Sequence, residues 1–503
     1  MNRRTLLGHL ATCVVVAAST ISLSEPARAA TLAAVPETVR VNISLYGTSY
    51  ALIGSTGAMI ATTSDGKLLY QGGQRMVART NMHRVEGGEP VTLPPSHEGM
   101  TSGERASRLE LLREARRAAR EAQVSGTLIT VPFEVSLLAG SDDALGTPVL
   151  SGSRVGIVRF VADFGYLNFG GRLFRGILEV TTDDAGDMIV VNQVETGRYL
   201  ASVTGAESPS SWHAEALAAQ TIAARTYLVT HLRRHANYDL EGDTRDQEYG
   251  GIGTEADSTV RAVERTAGIV ATYRGAPIEA LYSANAGGVT EDSENVYANA
   301  LPYLRSVPSP GDELAKDSGW GKTSWEWNRE FTAPQLGDYL RSRGINVGVP
   351  QRVELVRVTS AGRVTLARVV GTGGSRDIGK DVTRYYFGLK SSLFTVQLTE
   401  GGEEEWVSWR DTARLVDMGI LGSDLLGTTY ERSLNEDREL TSIRVTGYLF
   451  KLPPRFIFFG RGFGHGVGMS QWGAQGMALN GADYEQILQH YYQGIALTRI
   501  GGA

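Results

Sequence analysis

Three side chains able to do chemistry lie within one apolar stretch, SSWHAEALAAQTIAARTYLVTHLRR at residues 210–234: Glu215, Gln220 and Arg225. At 100° per residue they point in three directions, so they form no single polar stripe. A carboxyl group in the first turn of a buried helix feels two opposed influences. The helix dipole favours the charged form, and desolvation favours the protonated acid. A carboxyl that keeps its proton near neutral pH can act as a general acid. The same residues also permit a Glu215 that decorates an exposed first turn, or one that pairs with Arg225 or another base. A second signal is the glycine-dense run GRGFGHGVGMSQWG around His465. Glycines on both sides let the backbone approach a ligand and expose the imidazole. The plainer alternative is a turn histidine that hydrogen-bonds the backbone. No Lys-Ser/Thr follows the glycines, so this is not a phosphate loop. Nor is it a metal motif, because His465 has no partner at helical spacing and His83, His97, His213, His231, His235 and His490 are scattered. An exposed histidine combined with an acid on a distant helix suits the binding and protonation of a polar substrate such as a sugar.

The elements that must position these groups follow from local pattern. Pro209 keeps Ser208 extended, so a helix starts just after it, capped by Ser210 or Ser211. Alanine and leucine run almost all the way round that helix, which predicts burial on most sides. Residues 36–100 read as short strands and turns, and 103–124 as a solvated, charge-laced helix. SRVGIVRFV, RLFRGILEVTTD and DMIVVNQVE return to strand patterns. Beyond a polar connection at 242–258, the pattern predicts a helix at 258–267 and a hairpin turning at Arg274-Gly275. Another helix is expected at 333–343, a short one from Ser470, and an amphipathic one at 483–492. Residues 399–443 are acidic and irregular and read as an insertion. The fold class is α+β: a mixed, β-rich catalytic domain with a cleft between a buried helix and a glycine-rich loop, plus an N-terminal β-rich region.

Composition bounds the rest. The 503 residues are 42% hydrophobic and 21% charged, which is a globular balance with room for two or three cores. Residues 1–29 read as a signal peptide: Arg3 and Arg4, a moderately apolar middle, then Ala27-Arg28-Ala29 as a cleavage site. The adjacent arginines leave either the general or the twin-arginine export route open. Polar residues interrupt the apolar run, so no stable membrane span is expected after leader removal. Cys13, the only cysteine, lies in this leader, so the mature chain has neither disulfide nor thiol chemistry. A formal charge of −6, and no basic block, exclude a nucleic-acid binder. The expected location is exported, in the periplasm or the cell wall.

The pairing of ESPSSWHAEALAAQTIAARTY with GRGFGHGVGMSQWGAQGMA and YEQILQHYY resembles the sporulation stage II protein D / amidase-enhancer (SpoIID/LytB) family. Intermediate marks agree in order: Phe174-Arg175-Gly176; Asp243-Thr244 with Gln247 and Tyr249; SANAGG at 283–288 with Thr290-Glu291. Pro302-Tyr303-Leu304, SAGRV at 360–364, Arg384, Leu389-Lys390-Ser391 and Phe394 follow. The resemblance covers roughly residues 150–497 and implies a division into a leader at 1–29, an N-terminal region at 30–150 and a catalytic domain at 151–497 carrying the 399–443 insertion. It implies a peptidoglycan-directed protein. Some members are lytic transglycosylases that cut peptide-stripped glycan strands, with the glutamate that falls on Glu215 as catalytic acid. Others enhance a cell-wall amidase, which would then be a partner. Glu207, Gln220, Arg225, His465, Ser470 and Gln471 become candidate substrate contacts, with Trp472 as a stacking face or a core residue. Some family enzymes hold zinc through a cysteine whose position is Asp246 here, so no metal and no cofactor is expected.

Overall fold

The computed structural model describes residues 34–44, 50–72, 76–81, 134–139, 156–182, 188–319, 321–402, 404–408, 425–434, 440–451 and 453–501. The leader and the charged helix expected at 103–124 lie outside them. The chain divides into an N-terminal unit, Ala29–Val270 with Thr498–Ala503, and a C-terminal unit, Ala271–Leu497. Both mix helix and sheet, as the α+β class requires.

The N-terminal unit holds β1 (Thr38–Asn42), β2 (Tyr50–Ser55), β3 (Met59–Thr63), β4 (Leu68–Gly72), β5 (Met76–Asn81), β6 (Glu134–Ala139) and β7 (Val158–Ala162). It continues with β8 (Leu167–Phe169), β9 (Arg172–Phe174), β10 (Ile177–Thr182), β11 (Met188–Glu195) and β12 (Leu240–Glu241). One sheet runs β12-β1-β11-β10-β7-β3-β4 and another β6-β5-β2-β8-β9. Strands from both sides of residue 150 interleave in each sheet. β1, for example, pairs with β11 from Thr38↔Glu195 to Asn42↔Val191. The division between compact units falls at residues 270 and 271. β11 is buried along most of its length, as a central strand should be. It runs directly into α1 (Thr196–Glu207), followed by α2 (Ala214–His231) and α3 (Asp257–Arg265).

The C-terminal unit opens with β13 (Ile269–Tyr273) and β14 (Ala276–Pro277), the hairpin read from the sequence. Both turn residues are left-handed, Arg274 at φ 52° and Gly275 at φ 83°, which suits a two-residue hairpin turn. Next come β15 (Tyr282–Ser283), β16 (Glu326–Thr332), the helix α4 (Ala333–Ser342), β17 (Pro350–Val358), β18 (Val364–Gly371), β19 (Gly374–Gly379) and β20 (Phe394–Leu398). Thr332 caps α4 through the Gln335 amide and Gln335 returns the bond, with a proline in the first turn. α4 packs with the β17-β18-β19 sheet, and with a second in which β24 (Arg455–Arg461) lies between β16 and β20, around Phe331, Leu336, Leu340, Phe387, Phe394 and Phe458.

β21 (Glu404–Ser408), β22 (Leu425–Leu434) and β23 (Leu440–Lys451) form a separate three-stranded sheet, ordered β21-β23-β22. They lie between β20 and β24 (Arg455–Arg461), which pair directly from Phe394↔Gly460 to Leu398↔Phe456. β25 (Met469–Ser470), α5 (Gln471–Leu479), α6 (Tyr484–Tyr491) and β26 (Ala496–Arg499) complete the chain. Among the described residues no helix is long and apolar enough to cross a membrane.

Candidate active site

α2 is built as the sequence suggests but starts later. Trp212 donates its backbone N–H to Pro209, giving residues 209–212 a turn of their own, and Ser258 Oγ holds the Ser210 carbonyl at 2.7 Å. His213 is the cap, its Nδ1 accepting from the Glu215 N–H at 3.3 Å. From Ala216 to Leu228 every residue is buried. Glu215 is the acid of the first turn, one residue before the buried run, and its side chain is 20% exposed.

The base that meets Glu215 is Arg265, not Arg225. One guanidinium nitrogen of Arg265 straddles both carboxylate oxygens at 2.6 and 2.5 Å. Fifty residues separate the pair, and no spacing rule links them. Arg225 is 1% exposed and forms no ion pair with a carboxylate among the described residues. Its Nη1 donates to the carbonyls of Thr266 at 2.8 Å and Ile269 at 3.1 Å. Nη2 reaches the Val263 carbonyl at 3.4 Å. Val263 and Thr266 stand at the C-terminal end of α3, where a helix leaves carbonyls unmatched, and Ile269 opens β13. Burial lowers the Arg225 guanidinium from 12.5 to about 10. Arg225 thus fastens the end of α3 to α2, and that end carries Arg265. Gln220 is 1% exposed, and its amide atoms have no hydrogen-bond partner among the described residues.

The DTRDQEY segment is clamped against the same helices. Glu207 ends α1 and its Oε1 accepts from the Glu248 N–H at 3.1 Å. Gln247 is held between the Tyr199 hydroxyl, 3.0 Å, and the Ala224 carbonyl, 3.3 Å. Tyr249 donates to Asn192 Oδ1 on β11 at 2.7 Å. Asp246, 1% exposed, accepts from the Tyr227 hydroxyl at 2.9 Å, Arg234 at 3.0 Å and the Glu241 N–H at 2.8 Å. Both its oxygens are occupied by donors, one a cation, so this carboxylate does not fit a zinc ion. Nearby Glu241 is pushed up to about 7 by burial, although it accepts from Tyr238, Arg245 and Asn42.

His465, Ser470 and Gln471 belong to the C-terminal unit, where the glycine-dense loop serves its own fold. His465 Nδ1 accepts the Val467 N–H at 3.0 Å, and the ring also bonds the Tyr282 backbone. Tyr297 meets it edge-on with centroids 5.7 Å apart. Desolvation pushes the imidazole down to about 4, so it is neutral at ordinary pH. The turn-histidine alternative is the arrangement found. The glycines answer to crowding by protein rather than by a ligand. Gly466 has φ +73°, and a Cβ there would overlap the fully buried Arg363 guanidinium; at Gly468, φ +74°, it would overlap the Leu281 carbonyl. Ser470 is fully buried, donating to Asp312 and accepting the Ala286 N–H at 3.1 Å. Gln471 and Trp472 are buried at 5% and 6%, which makes Trp472 a core ring. Arg363 gives SAGRV its purpose, with Nη2 donating to the Ala286 carbonyl at 2.6 Å.

The structure thus brings Glu215 together with Arg265, and His465 together with Val467, Tyr282 and Tyr297. Glu215 and His465 belong to different units. Sequence reasoning passed over Arg265 and Asp312, which sit in ordinary helical or turn contexts without a motif of their own; Arg363 lay within the SAGRV mark but was given no role.

Comparison with known proteins agrees with the motif order. The SpoIID family, described as Stage II sporulation protein, matches residues 184–273, which span β11, α1, α2 and α3. An uncharacterized protein of Brachyspira hyodysenteriae is 27% identical over 348 residues, covering 69% of this chain and 77% of that one. The amidase enhancer of Bacillus subtilis is 30% identical over 320 residues, 58% of this chain and 39% of its own length. Stage II sporulation protein D of Bacillus amyloliquefaciens is 27% identical over 327 residues, covering 61% of this chain and 75% of the relative. With its motifs in family order and these relatives aligned along most of its length, the chain carries a SpoIID segment and is similar to proteins of the SpoIID/LytB family.

Proposed function

We propose that this protein is an exported peptidoglycan lytic transglycosylase acting on peptide-stripped glycan strands, with Glu215 as its acid and base. The observation that carries the reading is the placement of Glu215. Thirteen consecutive buried residues fix α2, and the carboxylate stands just before them, partly exposed and met by Arg265. A glycoside hydrolase uses two carboxylates, one on each side of the scissile bond. A transglycosylase manages with one, because the muramic 6-hydroxyl attacks within the same sugar. Protonated Glu215 donates to the glycosidic oxygen as the C1–O bond breaks. The 6-hydroxyl then bonds to C1 and returns its proton to the carboxylate, so no water is consumed. A carboxyl oxygen can donate only when no N–H occupies it, so Arg265 must leave at least one oxygen as substrate engages.

The test is to incubate the mature protein with peptide-free strands and identify the products by mass spectrometry. Wild type releases 1,6-anhydro-muramic ends and Glu215→Gln releases none. Products lacking the anhydro ring would mean hydrolysis, and activity surviving in Glu215→Gln would end this reading. The amidase-enhancer relative favours a second reading, a wall-binding protein that positions or activates an amidase. That reading predicts no glycan products from the protein alone and faster peptide release when an amidase is added.

A further inference from the structure

We infer that the outer face of the β16-β24-β20 sheet is a saccharide-binding surface built on Phe459, Arg461 and Phe463. The occupant is a glycan chain bearing carboxylates at intervals. On β24 the inward residues Phe456 and Phe458 are core, at 1% and 0% exposure, as period-two alternation requires. The outward residue Phe459 is 44% exposed, Arg461 is exposed, and beyond the left-handed Gly462 (φ 81°) Phe463 is 38% exposed. Phe463 is thus the aromatic that the glycine-dense loop presents to solvent. Alternate strand positions repeat at about 6.6 Å, so Phe459 and Arg461 present a stripe about the length of one sugar, with Phe463 on the loop beyond it.

The flanks suit hydroxyl groups. Asn328 and Thr395 are the register partners of Phe459 on the two neighbouring strands. A groove of about 490 Å³ opens here, and a second of about 330 Å³ adjoins it, sharing Trp327 and Asn328. Lys390 lines the second and places its Nζ 5.7 Å from the Phe463 centroid. Glu326 is the register partner of Arg461, but the structure records no ion pair between them. Aromatic faces, an amide, a hydroxyl and two cations against one carboxylate describe a site for a polyhydroxylated chain of negative charge. The hydroxyl groups decide against a lipid surface. Resting on the function proposed above, the inference names a peptide-stripped strand, whose muramic lactyl groups are free carboxylates at every second sugar.

The experiment uses the full mature chain carrying Glu215→Gln, so that strands bind without being consumed. Affinity for peptide-free strands is measured by calorimetry, beside neutral chito-oligosaccharides of equal length and anionic phospholipid vesicles. Phe459→Ala and Phe463→Ala should each weaken strand binding about five- to tenfold, and Phe459→Trp should restore it. Arg461→Gln should weaken binding to strands but not to the neutral oligomers. Alanine variants within twofold of the parent would overturn the inference, as would vesicle binding in place of strand binding. An alanine variant that melts early is judged by Phe459→Trp and Arg461→Gln, which keep the bulk of the side chain. Anhydro products from a chain whose strand binding ignores all four changes would sink this inference alone. Strand binding lost as expected, with no products from unmodified Glu215, would sink only the catalytic reading.

Discussion

Arg225→Met removes the guanidinium that joins α2 to the end of α3 while keeping an unbranched, flexible side chain. It strands two buried carbonyls, Thr266 and Ile269, which now receive bonds of 2.8 and 3.1 Å. Each orphaned carbonyl costs about 1–3 kcal/mol. Against this, the variant no longer buries a cation whose solvation loss takes it down to about 10. A net loss of about 3 kcal/mol follows, equivalent to a fall of about 6–12 °C in the transition of a unit this size. The assay is thermal melting followed by hydrogen exchange, with the amides of Thr266, Ala267 and Ile269 as local reporters. Those amides should exchange faster than the middle of α2, because the fastening is lost at one end of α3. Arg225→Lys should fall between the two proteins, since an ammonium keeps the charge but not the fork. A melting loss under about 3 °C with unchanged exchange at the end of α3 would refute the reasoning.

Gly466→Ala should be strongly destabilising, about 3 kcal/mol or more, because it combines left-handed backbone with overlap on Arg363. Gly481→Ala has φ +91° but nothing within 4 Å, and should cost only about 1–2 kcal/mol by denaturant titration. For His465 the folded imidazole sits at about 4, below its ordinary 6.5, so the unfolded chain binds more protons between those values. Stability should therefore be complete above pH 6.5 and fall as pH drops towards 4, by at most about 3 kcal/mol, and His465→Gln should flatten that acid limb in urea titrations. For Asp246, saturating zinc should leave the thermal transition of the wild type unmoved, because both carboxylate oxygens are taken; a zinc-dependent rise in melting temperature would show otherwise.

What could be read in the sequence was what short-range rules govern. The all-round apolar pattern of 210–234 gave a buried helix, the pattern at 333–343 gave another, and Arg274-Gly275 gave a hairpin. The cap of α2 was misplaced because Pro209 and Trp212 close a turn that takes up the two serines. Strand pairing that joins residues more than a hundred positions apart, as in Thr38↔Glu195, has no local signal and was not legible. The site divides the same way. Glu215 stands out because a carboxylate is conspicuous among alanines. Arg265 does not, because an arginine on an amphipathic helix is ordinary until the fold brings it across. His465 stood out because glycines on both sides signal close approach, and at Gly466 and Gly468 the approaching surface is the protein's own Arg363 and Leu281.

Leu398 and Phe456 are adjacent across paired strands, so the chain leaves and rejoins the sheet at nearly one point. To β20 and β24, the excursion through β21, β22 and β23 is no different from a tight turn. Closing a longer detour adds little, since its entropic cost rises only with the logarithm of its length. The lobe is in effect a detachable fitting: relatives can lengthen, replace or discard it without disturbing a single rung of the ladder it springs from.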